Sequence, residues 1–390
     1  MAARQRVTMA ATPFDVVVIG AGIAGASLAA EIARTHRTLV LEREEFPGYH
    51  STGRSAALFS EIYGNDLVRA LSRASRDFLF SPPEGFAPQP LVKARGALHI
   101  ATEAQRAALE AFASNVDVAG TIRWVQPHDA VCACPILQPD YVAAAVIEDD
   151  AADVDIDALH QGYLRRFRSQ GGALLVNTEV ERLQHRGNAW TIATRKEEFS
   201  APVVVNAAGA WADAIAEAAG ARPLGIQPCR RTAVLVALPE GCSPDAWPMV
   251  IDIDETFYMK PDAGLLLISP ADETPIEACD VQAEELDVAT AIHRVEQATT
   301  LEIKRVRKRW AGLRSFASDR SPVIGFDATA PGFFWLAGQG GYGIQTAPAA
   351  ASIAATILRG QTPAANLGAI DLSQLSPQRF DVRSPSRSHA

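Results

Sequence analysis

No stretch of this chain stays apolar for the roughly 18 residues that a membrane-spanning helix requires. No membrane span is therefore expected. Cysteine is scarce, with five residues, an odd number, and no CxxC pair among them. That excludes a disulfide framework or a cysteine zinc site. Cys132 and Cys134 are expected as buried thiols in a reducing, cytoplasmic compartment. The eight histidines are scattered without a pair four residues apart, so no metal site is expected. Basic charge is in the minority. Lysine and arginine number 36 against 45 acids, a formal charge of −9, which removes the footprint nucleic acid needs. The basic run from Lys304 to Arg309 is expected to form a solvated strand face. The acidic run from Glu148 to Asp157 precedes a helical pattern and is expected to cap it and face solvent. The first 13 residues carry Arg4 and Arg6 but no apolar h-region, so they do not read as a signal peptide. They are expected to be a disordered leader, with Met9 as an alternative start. The tail after Leu372, rich in Ser, Pro and Arg, is expected to fray.

What is present is ordinary for a globular chain: 390 residues, 48% hydrophobic and 21% charged, enough for two packed domains. Val16 to Ile19 is a continuous apolar run, as in a parallel strand buried on both faces. Gly20-Ala21-Gly22-Ile23-Ala24-Gly25 follows at once, then helix-forming residues from Ala26 to Ala33, then a strand from Thr38 to Leu41 ending at Glu42. This is a complete βαβ nucleotide fingerprint. Gly20 allows the tight turn, Gly22 lets a pyrophosphate approach the backbone, and Gly25 lets helix and strand pack. The helix N-terminus offers free N–H groups and a positive dipole end to phosphates. Glu42 lies 20 residues beyond Gly22, where a carboxylate binds ribose hydroxyls and disfavours a 2′-phosphate. Arg43 stands beside it.

The fingerprint alone does not choose between NAD and FAD, but three later features favour FAD. Residues 47–56 are small, polar and helix-opening, and Ser51, Thr52, Arg54, Ser55 and Ala56 suit a second stretch of pyrophosphate and the flavin edge. The run from Val203 to Val205 leads into a Gly/Ala turn containing Ala208, Gly209 and Trp211, and Val180 opens another strand. Near the C-terminus a strand from Phe333 to Ala337 leads into Gly338-Gln339-Gly340-Gly341-Tyr342-Gly343 and a helix from about Ile344 to Leu358. Such a junction aims a helix N-terminus at developing negative charge, which reduced flavin carries and nicotinamide does not need stabilised.

Together these residues resemble the D-amino-acid oxidase, glycine oxidase and sarcosine oxidase superfamily, from about Phe14 to Leu358. The likeness is greatest to its bacterial D-arginine dehydrogenases, through GYHSTGRSAA (48–57), DIDALHQGYLR (155–165), VNAAGAW (205–211), WPM (247–249), FY-x-KPDAG (257–264), WAGLRSF (310–316) and QGGYGIQT (339–346). The resemblance implies an α/β fold: a Rossmann-like FAD domain assembled from residues 14–62, 150–218 and 315–365, and a substrate domain with a mostly antiparallel sheet from 63–149 and 219–314. Helix 155–170, capped by Asp155 or Asp157, and strands at 179–183 and 189–194 fit that plan. FAD is expected to be non-covalent, since no cysteine follows Cys279.

The implied activity is oxidative deamination of a small, D-configured amino acid. Hydride passes from Cα to flavin N5, giving an imino acid, then a 2-oxo acid and ammonia. The chain must hold the carboxylate, present Cα and exclude water. By resemblance Arg314 is the carboxylate clamp, a task suited to a planar bidentate donor. Tyr258 adds a hydroxyl, Tyr63 lies over the substrate, and Gly341 offers its carbonyl to the amine. Arg231 is expected to face the substrate while Arg230 faces out. Met249 and Ile251 match the apolar wall. Two positions depart from the arginine dehydrogenases: Leu58 stands where they carry histidine, and Ala97 where a glutamate meets the cationic side chain. Preference is therefore expected to shift toward neutral or apolar side chains, unless Glu61 compensates. Oxidation of a secondary amine or a 2-hydroxy acid, and a non-catalytic flavoprotein subunit, stay open as alternatives. So does the electron acceptor, whether a quinone, an electron-transfer protein or O2. Lys260 resembles an oxygen-activating lysine of sarcosine oxidases.

Overall fold

The computed structural model describes residues 12–116, 120–362, 367–368 and 370–380. The apolar run Val16–Ile19 is the middle of a six-stranded sheet. Thr38–Leu41 and then Ala173–Leu175 lie on one side, and Val203–Asn206, Phe333–Ala337 and Val323–Phe326 on the other. All neighbours in this sheet are parallel except the last pair. Val17, Val18, Leu39, Val204 and Phe334 are at most 1% exposed. Such strands have no solvent face to alternate toward, which is why their sequences are unbroken hydrophobic runs.

One face of the sheet is covered by the helices Ile23–Ile32, Ile156–Ser169 and Gly343–Leu358, packed into a core that includes Leu28, Phe59, Tyr163 and Ile353. The other face meets a four-stranded sheet whose Trp190, Ile192 and Phe199 pack on Val17, Leu39 and Phe333. Two helices begin where the sequence places signals. Asp155 caps Ile156–Ser169, its carboxylate accepting from Ala158 N–H at 2.8 Å. The first helix follows Gly22 directly.

A ten-stranded sheet makes up much of the rest. It is antiparallel but for Met249–Asp252, which runs parallel to Ala97–Ala101. Its longest pairing joins Gln227–Val236 to Val306–Phe316. At its end, Ser315 and Phe316 pair with Gly340 and Gln339. The large sheet is thus hydrogen-bonded to the turn that opens Gly343–Leu358, and this junction places the site. Helix Glu285–Ala298 packs its Val288, Ala291 and Val295 on the sheet's Val234 and Ile268.

Several local expectations need correcting. Glu148 does not face solvent: it is fully buried, because Ser60 Oγ and Glu61 N–H donate to it at 2.6 and 2.7 Å. Asp153 in the same run binds Lys260 Nζ at 2.7 Å. Cys132 is exposed while Cys134 is buried, and no cysteine is bonded to another. Arg230 turns to the opposite sheet face from Arg231, yet it is also buried, among Asp272, Glu284 and Asp287. The end of the chain packs as far as Phe380. Leu375 is fully buried, its carbonyl accepts from Ile324 N–H at 2.8 Å, and Arg379 binds Asp319 at 2.7 Å. At the other end Thr12–Pro13 pairs with Phe199 and Ser200. The remaining leader (1–11) and tail (381–390) lie outside the described residues.

Candidate active site

The glycines of the first turn are fixed by backbone proximity. Gly20 has φ +101°, and a Cβ there would stand 2.5 Å from Ala207 O; a Cβ on Gly25 would stand 2.0 Å from Gly20 O. At Gly22 a Cβ would meet only Thr52 Oγ1, at 3.3 Å, because the turn there opens into a cavity. Ile23 N–H donates to Thr52 Oγ1 at 3.0 Å. Glu42 is fixed from behind, its two oxygens accepting from Ala21 N–H at 2.8 Å and Glu44 N–H at 3.0 Å. The carboxylate keeps lone pairs free for two vicinal hydroxyls.

The cavity, about 370 Å³, begins between these residues and ends at Arg231, Tyr258 and Arg314. At the Glu42 end it is walled by Arg43, Val180, Ala208, Gly209 and Trp211, with Arg43 stacked 3.8 Å over the Trp211 ring. Ile23, Ala24, Ser51, Thr52, Ser55 and Ala56 also line it, as do Gly340, Gly341, Gly343 and Ile344. Arg54 also borders it, but its guanidinium is held by Val281 O, Ala311 O and Asp280. It ties the segment 48–57 to the large sheet.

Two buried polar atoms on the cavity wall, Ser315 Oγ and Gln339 Nε2, have no partner in the protein. Buried polar groups of this kind are normally satisfied. Together with the glycine cradle, the backed carboxylate and the second helix N-terminus, they fit a polar ring system at the end opposite the adenosine-type site. An extended dinucleotide such as FAD meets both ends.

Beside Gly341 lies the anion site. Arg314, on Val306–Phe316, has its guanidinium against the Gly341 backbone, and its Nη1 donates to the Tyr63 hydroxyl at 2.9 Å. Burial opposes its charge, but Tyr63, Tyr258 and Glu273 outweigh that and raise its pKa above the ordinary arginine value. Arg231 donates to Asp272 O at 2.7 Å and to Glu273 at 2.9 Å.

Leu58, Met249 and Ile251 pack in one apolar cluster with Tyr258 and Leu267. Ala97, fully buried, pairs with Met249 on one side and Glu148 on the other. The Glu61 carboxylate is engaged by Arg76 at 3.0 Å. It answers Arg76 of the helix Asp66–Phe80 rather than replacing a charge at position 97. Gly25 is a packing residue behind the cavity, and Tyr342 stands edge-on to Tyr63 at 4.9 Å. Both tyrosines border a second cavity of about 310 Å³ that also touches Arg320 and His99. Sequence reasoning missed Ser315 and Gln339, which lie inside the recognised motifs, and Glu273, which lies in none.

A parallel sheet that presents one glycine turn to an adenosine-type site and a second helix N-terminus to a ring system defines a dinucleotide-dependent oxidoreductase. The chain belongs to the FAD dependent oxidoreductase family (DAO), whose model matches residues 15–357, and FAD is its cofactor. It is 23% identical to glycine oxidase of Geobacillus kaustophilus, covering 93% of this chain and 97% of that one. The crystal structure of that oxidase superposes with a TM-score of 0.80 at 23% identity, over 94% and 99% of the two chains. L-proline dehydrogenase from P. horikoshii also superposes at 0.80, with 23% identity over 95% and 98%. Iminodiacetate oxidase of Chelativorans sp. BNC1 gives 0.78, with 22% identity over 93% and 98%. These likenesses establish the fold. Among the described residues no helix is long and apolar enough to cross a membrane and no cluster could hold a metal ion.

Proposed function

We propose that this FAD-dependent oxidoreductase oxidises the Cα–N bond of a small amino acid, of D configuration, with a neutral or apolar side chain. The observation that carries this reading is the Arg314 guanidinium, held between the Tyr63 hydroxyl and the Gly341 backbone at the far end of the cavity.

In this reading Arg314 holds the α-carboxylate bidentately, and Tyr258 and Arg231 complete its seat. Tyr63 fixes the guanidinium plane, and the Gly341 carbonyl accepts from the substrate amine. Bound FAD supplies the two-electron acceptor, and the imine product hydrolyses to a 2-oxo acid and ammonia. The apolar cluster of Leu58, Met249 and Ile251 receives the side chain and keeps water from it. With Ala97 in place of an acid and Glu61 bound to Arg76, neither of these two positions offers a free carboxylate to a guanidinium substituent.

FAD would be held without a covalent bond. Residues 14–62, 150–218 and 315–365 would form its domain, and 63–149 with 219–314 the substrate domain, in a cytoplasmic enzyme. The acceptor that reoxidises it would be a quinone, an electron-transfer protein or O2. Likeness to L-proline dehydrogenase and iminodiacetate oxidase favours a second reading, oxidation of a secondary amine. Arg314 would serve there too, without the primary-amine contact. Anaerobic mixing with D- and L-amino acids, sarcosine, imino acids and 2-hydroxy acids decides between them. Bleaching of the flavin band by neutral D-amino acids supports the first reading, and bleaching by secondary amines alone overturns it for the second.

A further inference from the structure

Glu273 is the acid on which the arginines of the site converge. One of its oxygens lies 2.9 Å from Arg231 Nη2, 3.9 Å from Arg314 Nη1 and 3.0 Å from Arg320 Nη2, and the other lies 2.9 Å from Arg320. Three guanidiniums thus share one carboxylate. The acids nearby are turned elsewhere. Asp272 accepts from Thr232 N–H and Oγ1 at 2.6 and 3.0 Å, Glu284 and Asp287 hold Arg230 on the opposite sheet face, and Asp319 holds Arg379. The cavity end is therefore left with surplus positive charge, as an anion-binding site requires.

Glu273 is no wandering surface side chain. Its loop is fastened to strand Gln227–Val236 through Asp272, through Arg231 Nε on Asp272 O, and through Ser269 Oγ on Thr232 O at 2.6 Å. The fastening delivers the carboxylate to the two arginines that border the cavity. A carboxylate there relieves the repulsion between Arg231 and Arg314 in the free enzyme. It also occupies part of the field, and of the donor set, that a substrate carboxylate must use.

We infer that Glu273 is a built-in counter-ion of the substrate-carboxylate site and sets substrate affinity by competing for Arg231 and Arg314. This rests on the proposed role of Arg314. Glu273 is a specificity-determining residue: it stabilises the free enzyme and weakens binding of every carboxylate ligand, so a substrate must supply further contacts, such as the apolar wall, to displace it. Substituting it should make the enzyme less stable and tighter-binding at once, opposite signs that a merely structural glutamate would not give.

The experiment uses FAD-loaded Glu273→Gln. Binding of butanoate, a carboxylate with no amine to oxidise, is followed through the flavin absorbance, together with KM and kcat for the best substrate and the thermal midpoint. The butanoate Kd and the KM should each fall about tenfold, as expected on removing a charge a few ångströms from the ligand, while kcat stays within about twofold and the midpoint drops. Glu277→Gln removes the same charge from an exposed position on the same segment and should change none of these. A Kd unchanged or raised in Glu273→Gln, or lowered equally in Glu277→Gln, overturns the inference. Arg320→Gln is a second variant. With its outer partner gone, Glu273 leans fully on Arg231 and Arg314, so Kd should rise; a fall overturns the inference. Butanoate binding needs no turnover. Tighter binding with no amino acid oxidised leaves Glu273 its role and removes the amino-acid reading. Amino-acid oxidation with unchanged binding does the reverse.

Discussion

The guanidinium of Arg314 lies flat against Gly341, so close that a Cβ on that glycine would stand 2.9 Å from Arg314 Cζ. The two residues come from the large sheet and from the turn that opens helix Gly343–Leu358, and the Ser315–Gly340 pairing holds them in register. Gly341→Ala should therefore act as an arginine variant, shifting the guanidinium out of the plane Tyr63 fixes. We expect FAD content near normal and KM raised about tenfold or more, the loss typical of a displaced charge-assisted bond of about 1.5–3 kcal/mol. Normal KM with loss of FAD would show instead that Gly341 serves the cofactor.

Arg314 itself gives the larger effect. Arg314→Lys keeps the charge but loses the planar fork, and Arg314→Met loses both. Steady-state kinetics should show kcat/KM falling by about one to two decades for lysine, from the same bond energies, and further for methionine. Tyr63→Phe, which removes the hydroxyl that accepts from Arg314 Nη1, should fall between wild type and lysine. Equal kcat/KM in all three would remove Arg314 from the substrate site.

The glycines of the first turn separate packing from binding. Gly25→Ala would place a methyl group 2.0 Å from the Gly20 carbonyl oxygen, a clash that only moving the helix off its strand can relieve. It should cost the fold, seen as insoluble or low-melting protein. Gly22→Ala meets only the Thr52 hydroxyl. It should leave the apoprotein within about 1 kcal/mol of wild type, as for N-cap exchanges, while reducing the FAD retained per chain. Loss of stability at Gly22 without loss of FAD would reverse these assignments.

Those features were legible because sequence-local constraints fix them. Gly25 answers the Gly20 carbonyl of its own turn, Asp155 caps its own helix, and strand alternation alone separates Arg230 from Arg231. Glu273 was not legible. It meets Arg231 from 42 residues away, through a loop whose path the large sheet sets and no local pattern announces. Glu148 was misread for the same reason. In sequence it belongs to an acidic run, but Ser60, 88 residues earlier, supplies the hydroxyl that lets it be buried. Cys132 erred the other way: it shares a short helix with Ala130, which is fully buried, but on the exposed side.

Ala97 tests where the side chain of the substrate goes. It pairs directly with Glu148 across the sheet, so a carboxylate introduced there would stand about 5 Å from a buried acid. Two such groups ionise together only with a cation between them. Ala97→Glu should therefore gain oxidation of D-arginine and D-lysine, raising kcat/KM relative to a neutral D-amino acid about tenfold, the discrimination expected of a new charge pair. No gain with normal FAD loading would mean the side chain does not reach this strand.

Glu148 itself should leave a mark on stability. Burial pushes its carboxyl up to about 7 from 4.5, against bonds from Ser60 and the Glu61 N–H that favour the anion, with Glu61 and Asp150 adding repulsion. The folded chain therefore holds a proton that the unfolded chain has released between those two values. Its contribution is fully present below pH 4.5 and is lost as pH rises through 7. Glu148→Gln carries no titrating group, and its amide oxygen can still accept from the Glu61 N–H. Thermal or urea unfolding between about pH 5 and pH 8 should show wild type losing of the order of 2–3 kcal/mol relative to the variant. Parallel curves would mean that Glu148 is ionised throughout, and that a cation or water compensates it at the point where the segment 58–62 meets helix Gly343–Leu358 through Ser60 and Gln345.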